Sequence, residues 1–441
     1  MGDVINRARL VRRPIIGSHE ILEHCRHCSG VDRPVCISVR YHAQPPGVAG
    51  AGGRRRRSDA RAGDVLGSKW IAICLTTAPL RVLALTPIPV EGAGCRFRIA
   101  QFVPYLREQG IDVTISPFYS DAYFKFVYRP GHFARKVIGA VPLVWKRLRE
   151  LPEIGQYDLV FLYREAIPAG PPLVERSIAR RGVPILYDFD DAIFLPNVSE
   201  ANQRVSFLKK PERVAEVLKL SRAVVAGNEF LASYARNYND AVTVIPTAVD
   251  TDYFTPRADV GGPNSPLVIG WIGSPTTFQY LRGLAPTLAE VARSRDFTLR
   301  VSGAGERVAF HGLRIEQPAW SLVDEVELFN TCDIGVYPLT DDDWARGKCG
   351  FKAIQCMACG VPVVAQAVGV NREIIRDGEN GFLASTPAEW TDKLVRLIDD
   401  APLRARFAEA GRKTIEERYS VRVVAPQLAA AMRAATRGDQ G

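Results

Sequence analysis

The strongest constraint on this chain is a pattern that occurs twice. Short apolar runs alternate with helical periodicity, stop at a proline- and glycine-rich segment, and start again. Residues 81–86 read as a buried strand, followed by a Gly/Pro loop from Pro87 to Gly94. Apolar residues then recur at helical spacing from Phe97 to Leu106, with Gly110 as the stop. Strands fit residues 111–115, 157–163, 184–188, 223–226 and 242–245, with helical patterns between them. Pro256, Gly261, Gly262, Pro263 and Pro266 mark a linker. After it, strands fit 267–272, 297–301, 332–336 and 361–365. Helices fit 276–291, 322–331, 351–358, 388–398, 403–418 and a last one at 421–436. Near-continuous apolar strands separated by helices specify parallel sheets covered on both faces. The expected fold is α/β, with two Rossmann-like doubly wound domains facing across a cleft: 80–255, a linker at 256–266, and 267–420. A helix and tail follow at 421–441.

Composition matters mainly for its distribution. The 441 residues carry a formal charge of +9. Residues 1–80 hold 13 Lys+Arg and 6 Asp+Glu, leaving 44 and 42 for the rest. The charge that would suggest a polyanionic partner therefore sits in the first eighty residues. Residues 1–79 lack sustained periodicity and contain Gly50 to Gly53 followed by Arg54 to Arg57. They are expected to form a disordered, low-complexity basic extension, with the first organised strand at Arg81. The arginine run fits a solvated tail better than nucleic-acid or lipid binding. His24-Cys25-Arg26-His27-Cys28 looks like half a metal site, but Cys36 and His42 complete it only with irregular spacing. No resident metal and no cofactor are expected. Nine cysteines, odd in number and unevenly spaced, argue against a disulfide framework and fit a reducing compartment. No apolar run reaches the roughly 18 residues of a membrane span, and charges and Pro14 interrupt any signal peptide. A cytoplasmic protein, soluble or at the inner face of the membrane, is expected.

Two doubly wound domains place a ligand beyond the strand C-termini, in the cleft. The dinucleotide fingerprint is absent, because Gly92-Ala93-Gly94 lacks its third glycine. There is no Walker loop and no nucleophile elbow, and six scattered histidines do not suit a zinc hydrolase. Gly273-Ser274-Pro275-Thr276-Thr277 follows a strand and opens a helix, where free N–H groups favour a diphosphate; a tight structural turn fits the residues equally. Gly347-Lys348-Cys349-Gly350-Phe351-Lys352 opens another helix, and its lysines oppose the helix dipole unless an anion compensates.

Three segments resemble family-4 (group 1) retaining glycosyltransferases. Val244 to Pro256 resembles the segment that closes their first domain. Gln355-Cys356-Met357-Ala358-Cys359-Gly360-Val361-Pro362-Val363-Val364 resembles their helix-to-strand motif, and Glu379-Asn380-Gly381-Phe382-Leu383 their glycine turn. The resemblance spans about 81–420. It implies the GT-B fold, a last helix returning to the first domain, and transfer of a sugar from a nucleotide-sugar donor with retention and no obligatory metal.

The departures shape the site. The family's paired glutamates fall on Gly347 and Gln355. Gln355 can still hydrogen-bond a ribose; Gly347 cannot support the transferred sugar. The family's basic residues after the first strand of the second domain are missing, so Lys348, with Lys352, is expected to neutralise the diphosphate. The resemblance places Glu373 on the donor side. Donor binding is thus expected at Gly273, Ser274, Lys348, Gly350, Phe351, Lys352, Gln355 and Glu373. In the first domain, the family's histidine position falls on Asp190. Asp190 and Asp191, at a strand end, are expected to orient an acceptor hydroxyl or take its proton, with Lys348 as their catalytic counterpart. Gly94, Arg96, Arg98 and Glu165 are the acceptor-side candidates.

Residues 124–151 interleave Lys125, Arg129, Arg135, Lys136, Lys146, Arg147 and Arg149 with Phe124, Phe126, Tyr128, Phe133, Ile138, Val141, Leu143 and Trp145. This basic amphipathic segment suits an anionic membrane and a lipid-linked or glycan acceptor in envelope polysaccharide assembly; an ordinary surface helix is the alternative. The rival functions are a GT-B phosphorylase or epimerase and an inactive sugar-nucleotide-binding protein. Nucleic-acid binding rests on the basic extension alone and is not expected.

Overall fold

The computed structural model describes residues 35–41, 69–75, 78–127, 131–195, 212–257 and 266–437. The chain divides into Met1–Pro79 and Leu80–Gly441. In the first unit, β1 (Val35–Tyr41) pairs antiparallel with β2 (Lys69–Leu75), with Val35 opposite Leu75 and Tyr41 opposite Lys69. Organised strands therefore precede Arg81, which the expectation of disorder had not included. Val35, Ile37 and Val39 alternate along a β-branched run, the period of a strand. The half-site at residues 24–28, the arginines at 54–57 and most of the 256–266 linker lie outside the described residues.

The second unit carries two parallel six-stranded sheets. The first runs β4-β3-β5-β6-β7-β8: β3 (Leu80–Thr86), β4 (Ile111–Pro117), β5 (Leu159–Tyr163), β6 (Ile185–Phe189), β7 (Ala223–Ala226) and β8 (Val242–Val244). The second runs β11-β10-β9-β12-β13-β14: β9 (Leu267–Ile272), β10 (Phe297–Ser302), β11 (Arg314–Glu316), β12 (Ile334–Tyr337), β13 (Val363–Gln366) and β14 (Phe382–Ala384). The apolar runs dictate this burial. Every residue of β5 and β6 is buried, because helices cover both sheet faces.

Strand order reverses between β3 and β5 in the first sheet and between β9 and β12 in the second. Loops diverge at these switch points and leave a crevice beyond the strand ends. Gly94 and Arg164 follow β3 and β5; Gly273 follows β9. The site region is thus fixed by topology before any side chain is considered.

The helices used below are labelled in chain order: α1 (Ala93–Arg98), α2 (Phe133–Glu150), α3 (Glu229–Ala235), α4 (Phe278–Ala292), α5 (Glu325–Asn330), α6 (Asp343–Arg346), α7 (Phe351–Ala358), α8 (Asn371–Ile374), α9 (Ala401–Arg418) and α10 (Val421–Thr436). Helix α10 returns to the first sheet. Val424, Leu428 and Met432 pack in one cluster with Val82, Phe161 and Leu186. Arg412 of α9 reaches the carbonyls of Thr251 at 2.8 Å and Ala358 at 2.6 Å, fastening the chain where it first crosses between domains.

Leu428 is 3% exposed within that cluster. Leu428→Ala is expected to cost about 2–5 kcal/mol by leaving a cavity. Urea unfolding of the full chain measures it; a loss below 1 kcal/mol would contradict the packing of α10 as a core helix of the first domain.

Candidate active site

The site begins with a local glycine requirement. Gly92 caps α1 and Gly94 lies in its first turn. A Cβ on Gly94 would stand 2.3 Å from the Tyr163 hydroxyl oxygen. The space a side chain would fill is taken by Tyr163, the last residue of β5, which donates to Asp190 Oδ1 at 2.8 Å. Arg164 follows with φ of +58°. A non-glycine residue there carries strain of about 1–3 kcal/mol. The result of that backbone turn is a guanidinium laid across both aspartates. Arg164 Nε and Nη2 reach Asp190 Oδ1 at 3.0 and 2.6 Å, and Nη2 also pairs with Asp191 Oδ2.

These contacts set the charge state. Burial raises the Asp190 carboxyl, but Arg164, Arg98 and the Arg164 and Tyr163 hydrogen bonds outweigh it and hold the group below the ordinary aspartate range. Burial, with Asp190 and Asp191 adding to it, pushes the Tyr163 phenol well above its usual value against the pull of Arg164. Asp190 is therefore an anion with a weak appetite for protons. It suits orientation of a hydroxyl better than abstraction of its proton. All three donors fall on Oδ1; Oδ2 accepts none among the described residues.

Across the cleft stands the loop between α6 and α7. Lys348 Nζ lies 3.8 Å from Asp191 Oδ1 and 5.5 Å from the centroid of the Trp344 ring. Cys349 Sγ donates to the Asp190 carbonyl at 3.2 Å. Asn228 caps α3 through Leu231 N at 2.9 Å, while its amide donates to the carbonyls of Lys348 at 3.0 Å and Arg346 at 3.3 Å. The structure thus brings Asp190, Asp191 and Lys348 together, each domain contributing from its strand or helix ends.

Lys348 and Lys352 do not share one side. Gly350, with φ of +65°, stands between Lys348 and the helix, so helical spacing does not apply across it. Lys352 turns inward and donates to Gln355 Oε1 at 2.8 Å; burial lowers its ammonium despite Glu325. Gln355 is fully buried and donates to Glu325 at 3.2 Å, and Glu325 pairs with Arg96 at 2.7 Å. Phe351 meets Phe97 of α1 at 4.2 Å between ring centroids. In this arrangement Gln355 presents no surface to a ribose.

Other expectations are corrected. Arg98 does not face the cleft. It is 3% exposed and pairs with Asp188, with a further bond to the Ile245 carbonyl at 3.0 Å. Two positions along α1 separate Arg96 and Arg98 by roughly 200°, which sends one to α5 and the other into the sheet. Glu373 is exposed on α8; the α8 side chains that pack at Gly350 are Ile374 and Asn371. The Gly273–Ser274 loop closes on itself, with Ser274 N donating to Thr277 Oγ1 at 3.0 Å and Thr277 N to Ser274 O at 3.0 Å. That is the tight-turn alternative. Glu165 is half-buried beside the Arg164 turn. Tyr163, Asn228, Glu325 and Trp344 were not singled out from the sequence, whereas Arg164 stands there with Glu165 as a weaker candidate. Its signal is its place at the end of a strand before an acid.

Among the described residues no group of three or more His, Cys, Asp or Glu could hold a metal ion. No helix among them is long and apolar enough to cross a membrane.

Residues 266–400 match the family model of group 1 glycosyl transferases. The second domain is a group 1 glycosyl transferase domain, and the two facing sheets have the GT-B architecture. A D-inositol 3-phosphate glycosyltransferase from Stackebrandtia nassauensis is 30% identical over 211 residues, 41% of this chain and 46% of the relative. The chain thus spans under half the length of that relative. Anabaena HepE in complex with UDP-glucose superposes with a TM-score of 0.58 at 17% identity, over 80% of this chain and 99% of that one. Sucrose-phosphate synthase from Thermosynechococcus elongatus gives 0.58 at 16%, over 80% and 98%.

Two outcomes test the Asp190 cluster. Gly94→Ala is expected to cost about 1–3 kcal/mol by displacing Tyr163, as overpacking does; urea unfolding measures it, and a neutral change would contradict the contact. A lowered carboxyl stabilises the fold above the unfolded value of about 3.9, and that stability fades as pH falls through the lower folded value. Asp190→Asn is therefore expected to flatten the pH dependence of stability below about pH 4. Thermal melts between about pH 3 and 6 read it, and parallel curves for both proteins would refute the assignment.

Proposed function

We propose that this chain transfers a sugar from a nucleotide-sugar donor to an acceptor hydroxyl, with retention, in cell-envelope or polysaccharide assembly. The observation that carries the reading is the meeting of Lys348 from the second domain with Asp191 from the first, where Arg164 bridges Asp191 to Asp190, at the strand ends of a GT-B fold. A neighbour of this fold, Anabaena HepE, was crystallised with UDP-glucose, which supports a nucleotide sugar as donor.

In this reading the leaving diphosphate gathers negative charge beside Lys348 and the first turn of α7. Gly350 caps that helix without a side-chain hydrogen bond, so the helix N-terminus is open to an anion. The Lys348–Asp191 pair, at 3.8 Å, is loose enough for a phosphate to take the ammonium over. Charge stabilisation of this kind is the largest contribution a protein makes to such a transfer. Asp190 Oδ2 accepts the acceptor O–H and aims it at the anomeric carbon from the face the diphosphate leaves. The new C–O bond forms as the bond to the diphosphate breaks, and the acceptor's one proton leaves its hydrogen bond to Asp190 and passes to the departing phosphate oxygen. No metal and no cofactor is assigned a part.

The acceptor side includes α2. Phe133, Val137, Ile138, Val141, Trp145 and Leu148 are all exposed on this helix, 39–71% each, at helical spacing. Arg135, Lys136, Lys146 and Arg149 flank them, and the acid Glu150 is taken by Arg147 at 2.6 Å. This apolar stripe with a cationic margin suits the anionic inner face of a membrane and a lipid-linked or glycan acceptor.

A melting screen against nucleotide sugars tests the donor, since a ligand of the folded state raises the midpoint. Lys348→Ala is expected to lower turnover of the responding donor by about a hundredfold or more; unchanged turnover sinks the role of Lys348. Vesicles test α2. The chain is expected to sediment with phosphatidylglycerol vesicles and not with phosphatidylcholine, and Ile138→Ser with Trp145→Ser to release it. Equal sedimentation with both lipids would refute the membrane contact.

A further inference from the structure

Gly347 occupies the place of a motif glutamate, and the structure gives a steric reason. Its backbone is ordinary, with φ of −73° and ψ of −8°, so conformation does not demand glycine. Space does. A Cβ there would stand 2.6 Å from the Ala192 Cβ and 3.0 Å from the Ala192 backbone nitrogen. Gly227, on the facing side, is the same case: a Cβ would stand 2.4 Å from Cys349 Sγ and 3.2 Å from Asp190 Cα. Two glycines from different domains thus let the 346–349 loop wedge against the ends of β6 and β7. Trp344 and Cys349, both from the second domain, pack into the core cluster of the first.

One side chain fastens this wedge. Asn228 is 3% exposed. Its Oδ1 accepts from Leu231 N and caps α3, while its Nδ2 donates to the carbonyls of Lys348 and Arg346. The cap fixes the amide orientation, and the amide fixes the loop. Lys348 is held from its own carbonyl, and its ammonium is thereby aimed at Asp191. A glutamate at 347 would hold that region open.

We propose that Asn228 is a positioning residue for Lys348. It docks the 346–349 loop onto the first domain through an approach that only Gly227 and Gly347 permit, so that in this chain close docking takes the place of the missing glutamate. The inference rests on the transferase reading for its catalytic consequence and on contact geometry alone for the docking.

Asn228→Asp separates the two jobs of the side chain. A carboxylate still caps α3, where the helix dipole favours it, but it has no N–H to give and faces two carbonyl oxygens. Hydrogen exchange on the unliganded full chain is the first readout. Exchange at residues 346–350 is expected to speed by about tenfold, the worth of a buried hydrogen bond, while the Leu231 amide keeps its protection. Unchanged exchange at 346–350 overturns the docking. Turnover is the second readout, with the nucleotide sugar found in the melting screen. Asn228→Asp is expected to lower kcat by about tenfold to a hundredfold with donor KM within about twofold, as misplacement of a catalytic group does. Wild-type kcat despite faster exchange overturns the positioning role. Gly347→Glu, which restores the motif residue, is expected to lose turnover; a gain overturns the proposal. Should neither wild type nor variant turn over any nucleotide sugar, the transferase reading fails, and the exchange result still decides the docking.

Discussion

Parallel strands buried on both faces need helices on both faces, and the first sheet does not supply its own full cover. Helix α10 does, after the chain has already built the second domain. The polypeptide therefore crosses between domains twice, and the crossings are tied. Val249 N donates to the Tyr419 carbonyl at 2.9 Å, and Val421 N to the Val249 carbonyl at 3.0 Å. Arg412 adds bonds to Thr251 and Phe254 carbonyls. Two strands of chain pinned together permit a hinge and forbid free separation. Every contact across the cleft, from Lys348–Asp191 to Arg96–Glu325, depends on that restraint.

The fold was legible because its signal is repeated and one-dimensional. Apolar runs such as residues 267–272 give a buried strand whatever their neighbours, and the restart after the Pro/Gly segment marks a second domain. An average over residues 1–79 does not resolve the alternating run at Val35–Tyr41. The site was legible only where backbone position decides it. Asp190, Asp191 and Lys348 could be placed near one another because they sit at element ends. Side-chain direction was not in the sequence. Arg98 turned into the sheet and Lys352 into the second domain because each found a buried partner brought there by folding, Asp188 and Gln355. No spacing rule relates residues 90 positions apart, as Arg98 and Asp188 are.

Glycine carried more information than its count implies. Gly94, Gly227 and Gly347 all stand where another atom occupies the Cβ position: Tyr163, Cys349 and Ala192. None of them has a positive φ. Each marks close approach rather than a turn, and together they lie around Asp190, Asp191 and Lys348. A glycine chosen for contact is invisible until its partner is known, which explains why Gly347 reads in the sequence as a loss.

The second contact across the cleft has different physics. Arg96, Glu325, Gln355 and Lys352 form one chain of polar groups under the Phe97–Phe351 ring pair. Taking these charges out of water is costly, and their mutual attraction repays most of that cost rather than exceeding it. Such a contact is selective in geometry but weak in net energy. The aromatic pair adds about 0.5–1.5 kcal/mol beyond its buried area. Opening would rehydrate the ion pair and recover much of what is lost. The domains are thus joined both by this buried ion pair and by apolar contacts, with Phe97 in one cluster with Phe329, Ile354 and Met357 and with Cys349 in the core of the first sheet. Gln355 and Lys352 belong to α7, so this contact and the Lys348–Asp191 contact act on the same short stretch of the second domain.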